Sequence, residues 1–561
     1  MPNIVLILSD DQGWGDLSIN GNENLETPAL DAIGHEGAVF ERFYVCPVCS
    51  PTRAEMLTGR YHPRGGVYST SAGGERLDLD EVTIAQILQK NGYRTGAFGK
   101  WHNGMQYPYH PNGRGFEEFY GFCSGHWGNY FSPMLEHNGA IVKGDGFIVD
   151  DLTDRALEFM EENRDQPFFA YLPYNTPHSP MQVPEKFWKK FANAELAMKY
   201  SDPAREDELH TRAALAMCEN IDWNVARVIR KLENLSLLEN TIVIYLSDNG
   251  PNGWRWNGGM KGRKGSTDEG GVRSPLIMMW KDKIKPGTKI SHIASAIDLL
   301  PTLTGLANID YEGEKQIDGK DLSPLIFNPD TTWEDRLVFN HWNNRISVRS
   351  QQFLLDHENR LFDMSSDPGQ KQDISSSLPD VANKLELEKE VWEALVLSEI
   401  PEKDLRPFLL GHPDFKYHQL PARDGNGHGN IVRSNRFPNC TYFKNWTSIE
   451  DSITWEVEVV ESGDFNVTLY YTCPESDIGS TFDLIFKTDT LHGEIAEAHN
   501  PPETGMENDR HPRQESYVKD FKPLDLGTMY LEKGPGMLTM KATKIVGGQV
   551  MDVRLLMLER I

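Results

Sequence analysis

Four short runs of apolar, β-branched and aromatic residues recur in the first half of the chain, and each breaks off in polar residues able to do chemistry. Ile4–Leu8 ends in Ser9-Asp10-Asp11, and Arg94–Phe98 ends in Gly99-Lys100-Trp101-His102. Pro167–Leu172 runs into Asn175-Thr176-Pro177-His178, and Thr241–Leu246 into Ser247-Asp248-Asn249-Gly250. Runs of this length bounded by turn residues read as buried strands. Between them, Val82–Asn91, Asp150–Asn163 and Leu209–Asn234 carry apolar residues at helical spacing. Strand alternating with helix predicts an α/β fold: a mostly parallel central sheet with helices on both faces. Ligands of such sheets bind beyond the carboxyl ends of the strands, so the four polar clusters should gather on one rim.

The pattern changes after about residue 310. Arg345–Arg349 and Gln352–Asp356 read as short antiparallel strands and Leu378–Ser398 as a helix, predicting a small antiparallel α+β subdomain. Further on, Thr454–Val460, Phe465–Tyr471 and Phe482–Phe486 alternate at strand spacing between turn signals, which predicts an all-β sandwich. The expected organisation is a catalytic α/β domain over 1–310, the antiparallel subdomain over 311–400, a Pro-, Gly- and His-rich linker over 401–430, and the sandwich over 431–561. Cys440 and Cys473 could pair in an oxidising compartment.

Charge narrows the function. Across 561 residues, 83 Asp+Glu outweigh 56 Lys+Arg for a net charge of −27, and no apolar run approaches the length of a membrane helix. Nucleic-acid binding and attachment to anionic lipid both need a basic surface, so neither is expected. Six scattered cysteines make neither a zinc motif nor a disulfide scaffold. No basic-then-apolar leader precedes the first strand, which begins almost at Met1.

The densest signal is Cys46-Pro-Val-Cys49-Ser50-Pro51-Thr52-Arg53, continuing to Leu57-Thr58-Gly59-Arg60. Pro51 suits the first turn of a helix, which puts Cys49 or Ser50 at its N-terminus, where free N–H groups and the helix dipole favour an anion. A lone free cysteine is more often packed than reactive, but its neighbours here change that reading. Cys49-x-Pro51-x-Arg53 followed by Leu57-Thr58-Gly59-Arg60 resembles the signature of the type I sulfatases of the alkaline phosphatase superfamily. The resemblance extends over about residues 1–400 through Asp10-Asp11, Gly99–His102, Thr176–His178, Ser247–Gly250, Lys264–Arg273 and Leu361–Gly369.

The resemblance implies a sulfuric ester hydrolase, in which a maturase converts Cys49 to formylglycine and the hydrated aldehyde attacks sulfur. It implies that Asp248 helps to deprotonate the nucleophile. His178, supported by Lys264, would protonate the leaving oxygen, and His102 would accept the proton that frees sulfate. Arg53 and Lys100 would hold the nucleophile and the charged oxygens, and Lys261 competes with Lys264 for its role. Asp10, Asp11, Asp248 and Asn249, with the modified Cys49, form the implied metal set. Their oxygen-only chemistry favours Ca²⁺, then Mg²⁺, over zinc or copper.

Aromatic and polar clusters at His126-Trp127, Trp254-Arg255 and His341–Arg345 suit a carbohydrate site, so His126, Trp127, Trp254, Arg255, His341 and Arg345 are expected to contact a sulfated sugar. The rivals are a phosphonate or phosphate-ester hydrolase of the same superfamily and an inactive carbohydrate-binding protein. The expected location is periplasmic or extracellular.

Overall fold

The computed structural model describes every residue except Glu312, and element counts refer to the described residues. Its central sheet is built from β1 (Asn3–Ser9), β2 (Ala38–Tyr44), β3 (Arg94–Lys100), β4 (Glu118–Phe122), β5 (Met134–His137), β6 (Ala140–Lys143), β7 (Phe168–Pro173), β8 (Thr241–Ser247), β9 (Arg273–Trp280), β10 (Thr288–Ile290) and β11 (Ala294–Ser295). The strand order is β10-β2-β9-β8-β1-β7-β3-β4-β5-β6, with β11 also paired to β2. The four strands that end in polar clusters are therefore consecutive, as β8-β1-β7-β3, and run parallel.

The sheet is mixed: six of its strand pairings are parallel and four antiparallel. β9 runs antiparallel to both β8 and β2, and β4-β5-β6 is an antiparallel meander. A parallel return needs a long crossover, usually a helix. Between β8 and β9 the only helix is the single turn Glu269–Val272, so the chain crosses the rim and comes back down the sheet.

Helices α1 (Pro28–Glu36), α2 (Cys49–Thr58), α3 (Ile84–Lys90), α4 (Ile148–Glu162), α5 (Glu185–Phe191) and α6 (Glu208–Asn234) cover both faces. Every residue of β1 is buried, and successive side chains feed opposite cores. Val5 and Ile7 join Leu152 of α4 and Val225 of α6. Ile4, Leu6 and Leu8 join Leu57 of α2 and Leu88 of α3.

A four-stranded antiparallel sheet over Val338–Trp342, Arg345–Arg349, Phe353–Leu355 and Leu361–Asp363 follows, with the helix Pro379–Val396 beside it. Two six-stranded sheets then enclose a separate core that includes Trp446, Trp455, Phe465 and Leu556. Residues 401–430, read from composition as a linker, carry the strands Phe408–Leu410, Tyr417–Pro421 and Asn426–His428, which pair within those two sheets. Cys440 and Cys473 are both free and buried, so no disulfide joins them. Among the described residues no helix is long and apolar enough to cross a membrane.

The sandwich is anchored to the rim by buried charge. Arg423 meets Glu75 at 2.9 Å with both side chains 1% exposed, and Gln106 Nε2 donates to Asp424 at 3.1 Å. Arg406 pairs with Asp78 at 2.8 Å, and Arg76 donates to the Pro407 carbonyl at 2.7 Å.

Gly99, near the end of β3, abuts the backbone of Pro173 at the end of β7. At its φ of 148° an added Cβ would lie 2.0 Å from the Pro173 carbonyl oxygen. Gly99→Ala should therefore destabilise by at least ~1–3 kcal/mol. Gly92 also has positive φ but open space around it, so Gly92→Ala should cost only about 1 kcal/mol. Thermal unfolding of the two variants checks the ranking, and an equal fall in midpoint would contradict it.

Candidate active site

Register builds the rim. Ser9 is level with Ser247 across the β1–β8 pair, so Asp10-Asp11 and Asp248-Asn249 leave the sheet side by side. The Asp11 N–H donates to Asp248 Oδ1 at 3.2 Å and the Asp10 N–H to the Thr176 carbonyl at 3.0 Å. At the end of β3, Lys100 reaches across to Asp10 Oδ2 at 2.6 Å. Asp11 and His102 both have φ of 67°, a left-handed conformation that costs a non-glycine residue roughly 1–3 kcal/mol. Each falls at a strand end, where the chain turns its side chain into the rim.

Cys49 is the first residue of α2, after Val48 in extended conformation, and is buried. One turn later on the same helix face, Arg53 donates through Nε and Nη2 to Asp248 Oδ2 at 3.1 and 2.8 Å, and through Nη1 to the Lys100 carbonyl at 2.7 Å. This fully buried guanidinium ties α2 to the ends of β8 and β3. Cys49 Sγ and one carboxylate oxygen each of Asp10 and Asp248 lie within 4.8 Å of one another. Burial pushes the Cys49 thiol up despite the charges of Lys100 and Lys264, so the unmodified side chain is a poor thiolate.

The carboxylates sit in unlike fields. Burial would raise Asp10, but Lys100, His178 and Arg53 together hold it well below the usual carboxylate range. Burial and then the charge of Asp10 push Asp248 up. Lys264 Nζ is 2.6 Å from Asp11 Oδ1, whereas Lys261 turns away to Asp268 at 2.9 Å, so of the two competing lysines only Lys264 enters the site.

At the ends of β1 and β8, one buried oxygen each of Asp10 (Oδ1), Asp11 (Oδ2) and Asn249 (Oδ1) has no hydrogen-bond partner. Leaving such groups unsatisfied is costly, and converging oxygens of this kind fit a hard divalent cation.

Two histidines complete the pocket with opposite ring nitrogens. Carbonyl oxygens only accept, so His102 donates from Nε2 to Thr70 at 2.8 Å and His178 donates from Nδ1 to Ser179 at 2.6 Å. His102 thus presents Nδ1, which has no partner, and His178 presents Nε2, 3.7 Å from Asp11 Oδ2. Burial, reinforced by Lys100, pushes His102 well down and keeps its ring neutral.

The cavity over these groups has a volume of about 560 Å³ and includes Cys49, His102, His126, His178, Trp254 and Lys264 in its lining. His126 stacks on His178 at 5.9 Å. The other four residues expected to touch substrate do not line it. Arg255 is buried against Asp16, with Nη2 2.5 Å from Oδ2, because that carboxylate needs a partner behind the rim. Trp127 stacks on Phe122 at 5.0 Å beneath Arg554. His341 stacks on His62 at 5.5 Å, and Arg345 is exposed at a hairpin turn. From that third cluster only Trp342 reaches the cavity.

The sequence reading missed one whole wall. Phe437, Pro438 and Asn439, together with residues 511–515, come from the sandwich and line the same cavity. Asn439 Nδ2 lies 3.3 Å from His126 Nδ1, and Ser179 Oγ donates to Glu515. No local signal marks these residues, which lie hundreds of positions from the motifs they face.

A family model described as Sulfatase matches residues 2–309. The chain is 32% identical over 381 residues to N-acetylgalactosamine-6-sulfatase of Mus musculus, covering 62% of this chain and 69% of that protein. It is similar to the crystal structure of Ps i-CgsB in complex with k-i-k-neocarrahexaose, with a TM-score of 0.64 and 31% identity over 72% of this chain and 95% of that one. The phosphonate monoester hydrolase of Agrobacterium radiobacter shares the fold at 18% identity and a TM-score of 0.55, covering 71% of this chain and 96% of that one.

Removing one member of a buried ion pair strands the other. Arg53→Met should lower stability by about 3–5 kcal/mol, read as a fall in the thermal unfolding midpoint. Adding Asp248→Asn should recover part of the loss. An unchanged midpoint in the single variant would show that Arg53 does not hold the rim together.

Proposed function

This chain belongs to the sulfatase family and is a type I sulfuric ester hydrolase, and we propose that it hydrolyses sulfate esters on a carbohydrate with formylglycine made from Cys49 and a bound Ca²⁺. The observation that carries this reading is Cys49 at the first position of a buried helix, facing the cavity beside His102, His178 and Lys264, with Lys100 buried beneath it on Asp10. Sugar is favoured by the cavity's size and polar, aromatic lining. The relatives named for N-acetylgalactosamine-6-sulfatase activity and for a complex with k-i-k-neocarrahexaose add to that support.

Asp10, Asp11 and Asn249 would hold the cation through the oxygens that lack partners, joined by Asp248, whose carboxylate also accepts from the Asp11 N–H and from Arg53. When bound, it supplies positive charge opposite the sulfate oxygens and polarises their bonds to sulfur. When formed by a maturase, formylglycine at position 49 supplies hydroxyls of the hydrated aldehyde for in-line attack and for regeneration. The thiol's upward shift supports that need for modification.

The chain's own groups set the proton path. Asp248, whose carboxylate lies beside position 49, accepts a proton there. His178, with Nδ1 committed to Ser179, protonates the leaving sugar oxygen from Nε2. His102, with Nε2 committed to Thr70, takes up a proton at Nδ1 as sulfate departs. Lys100 and Lys264, paired to Asp10 and Asp11, place positive charge along the same floor.

Cys49→Ala should abolish turnover while the thermal midpoint stays near that of the parent, and protein matured in its host should carry an aldehyde at position 49 that a hydrazide probe labels. Near-normal activity in Cys49→Ala would refute the assignment of the nucleophile. Aryl sulfate should be turned over far faster than aryl phosphonate, and the reverse preference would favour the phosphonate hydrolase.

General acid catalysis predicts a split for His178→Ala. Its rate on a sugar sulfate should fall by roughly 10²–10⁴, with a much smaller fall on 4-nitrophenyl sulfate, whose leaving group needs little protonation. Equal losses on both substrates would remove His178 from the acid role.

A further inference from the structure

The geometry points to a second anion-binding subsite in the cleft, formed by Arg205 and Arg263 on the indole of Trp254, so that the preferred substrate carries another negative group besides the scissile sulfate. This inference rests on reading the cavity as the sulfate-ester site, and it narrows the class of substrate.

All three residues line the same cavity as Cys49, and Arg263 is the immediate chain neighbour of Lys264. The guanidinium carbons of Arg205 and Arg263 stand 4.8 and 5.1 Å from the Trp254 ring centroid, and Tyr200 buttresses that ring at 4.8 Å. An indole face orients and partly desolvates a guanidinium without using up its N–H donors. Those donors suit the paired oxygens of a sulfate or carboxylate.

The charges around Trp254 leave these two cations to a ligand. Arg263 accepts only through its backbone carbonyl, from the Ser266 N–H, and its guanidinium has no hydrogen-bond or carboxylate partner among the described residues. Arg205 has only Asp202 at 3.6 Å, in a pair more than half exposed, which is worth little. The acids that line this part of the cavity are engaged elsewhere. Asp207 caps α6 through the His210 N–H and pairs with His511 at 2.8 Å, and Glu515 accepts from Ser179. Lys264 is committed to Asp11 at 2.6 Å. A cavity of about 560 Å³ is also larger than a sulfate group alone requires.

The test uses Cys49→Ala protein, which should bind without turnover, and calorimetry with defined galactose and N-acetylgalactosamine disaccharides. Each disaccharide is offered with one sulfate, with two sulfates, or with one sulfate and a uronate. The doubly anionic probes should bind about tenfold tighter than the singly sulfated ones. Adding Arg263→Ala or Arg205→Ala should shrink that ratio toward one, and the sulfate and uronate arms identify the anion read.

An absent preference in the Cys49→Ala protein overturns the subsite, as does a ratio that survives both substitutions. Equal weakening of every probe also overturns it, because that is the signature of a structural role. Turnover of 4-nitrophenyl sulfate by the unmutated enzyme reports separately on the sulfatase chemistry, so loss of the subsite and loss of the underlying reading give different results.

Discussion

The rim depends on one buried guanidinium. Arg53 reaches from α2 to the Asp248 carboxylate and to the backbone carbonyl of Lys100, joining the helix that begins with Cys49 to the ends of two strands. Lys100 then meets Asp10, and Lys264 meets Asp11. Three cations and three carboxylates thus interlock, all but Lys264 fully buried, where each depends on its neighbours far more than it would in water. This lattice leaves one buried oxygen each of Asp10, Asp11 and Asn249 without a hydrogen-bond partner.

The lattice can form because the four polar-ended strands are neighbours. β8, β1, β7 and β3 are consecutive, and the level register of Ser9 and Ser247 delivers two acidic pairs to one spot. The antiparallel return of β9 adds a second benefit. The long rim loop between β8 and β9 carries Trp254, Arg263 and Lys264, so one excursion of the chain supplies both a cation paired to Asp11 and aromatic surface lining the same cleft.

A net charge of −27 is compatible with an anionic substrate because charge is arranged locally. Of the acids lining the cavity, Asp207 pairs with His511 and Glu515 accepts from Ser179, and Asp10 and Asp11 beneath it are tied to lysines, whereas the guanidinium of Arg263 has no carboxylate partner among the described residues. The sandwich takes part in this arrangement. Its Asn439 lies against His126, and its 511–515 segment lines the cavity, so the cleft is enclosed by parts of the chain that are far apart in sequence.

The α/β pattern, the helix that opens with Cys49 and the cluster of hard oxygen donors were legible in the sequence because each resides in a contiguous stretch: an apolar run, a Pro-marked first turn, a strand-end acidic pair. The alternating sandwich strands were legible for the same reason. Strand order, the mixed character of the sheet and the choice of Lys264 over Lys261 were decided by tertiary pairing. So was the orientation of the loop side chains. Arg255 turns to Asp16, Trp127 to Phe122 and His341 to His62, each drawn to a partner outside its own loop that no local pattern names. Motifs fix which chemistry is available, since it belongs to residue types at short spacing. Only packing decides which of those residues share a cavity, since burial and charge pairing are satisfied between segments that the sequence keeps apart.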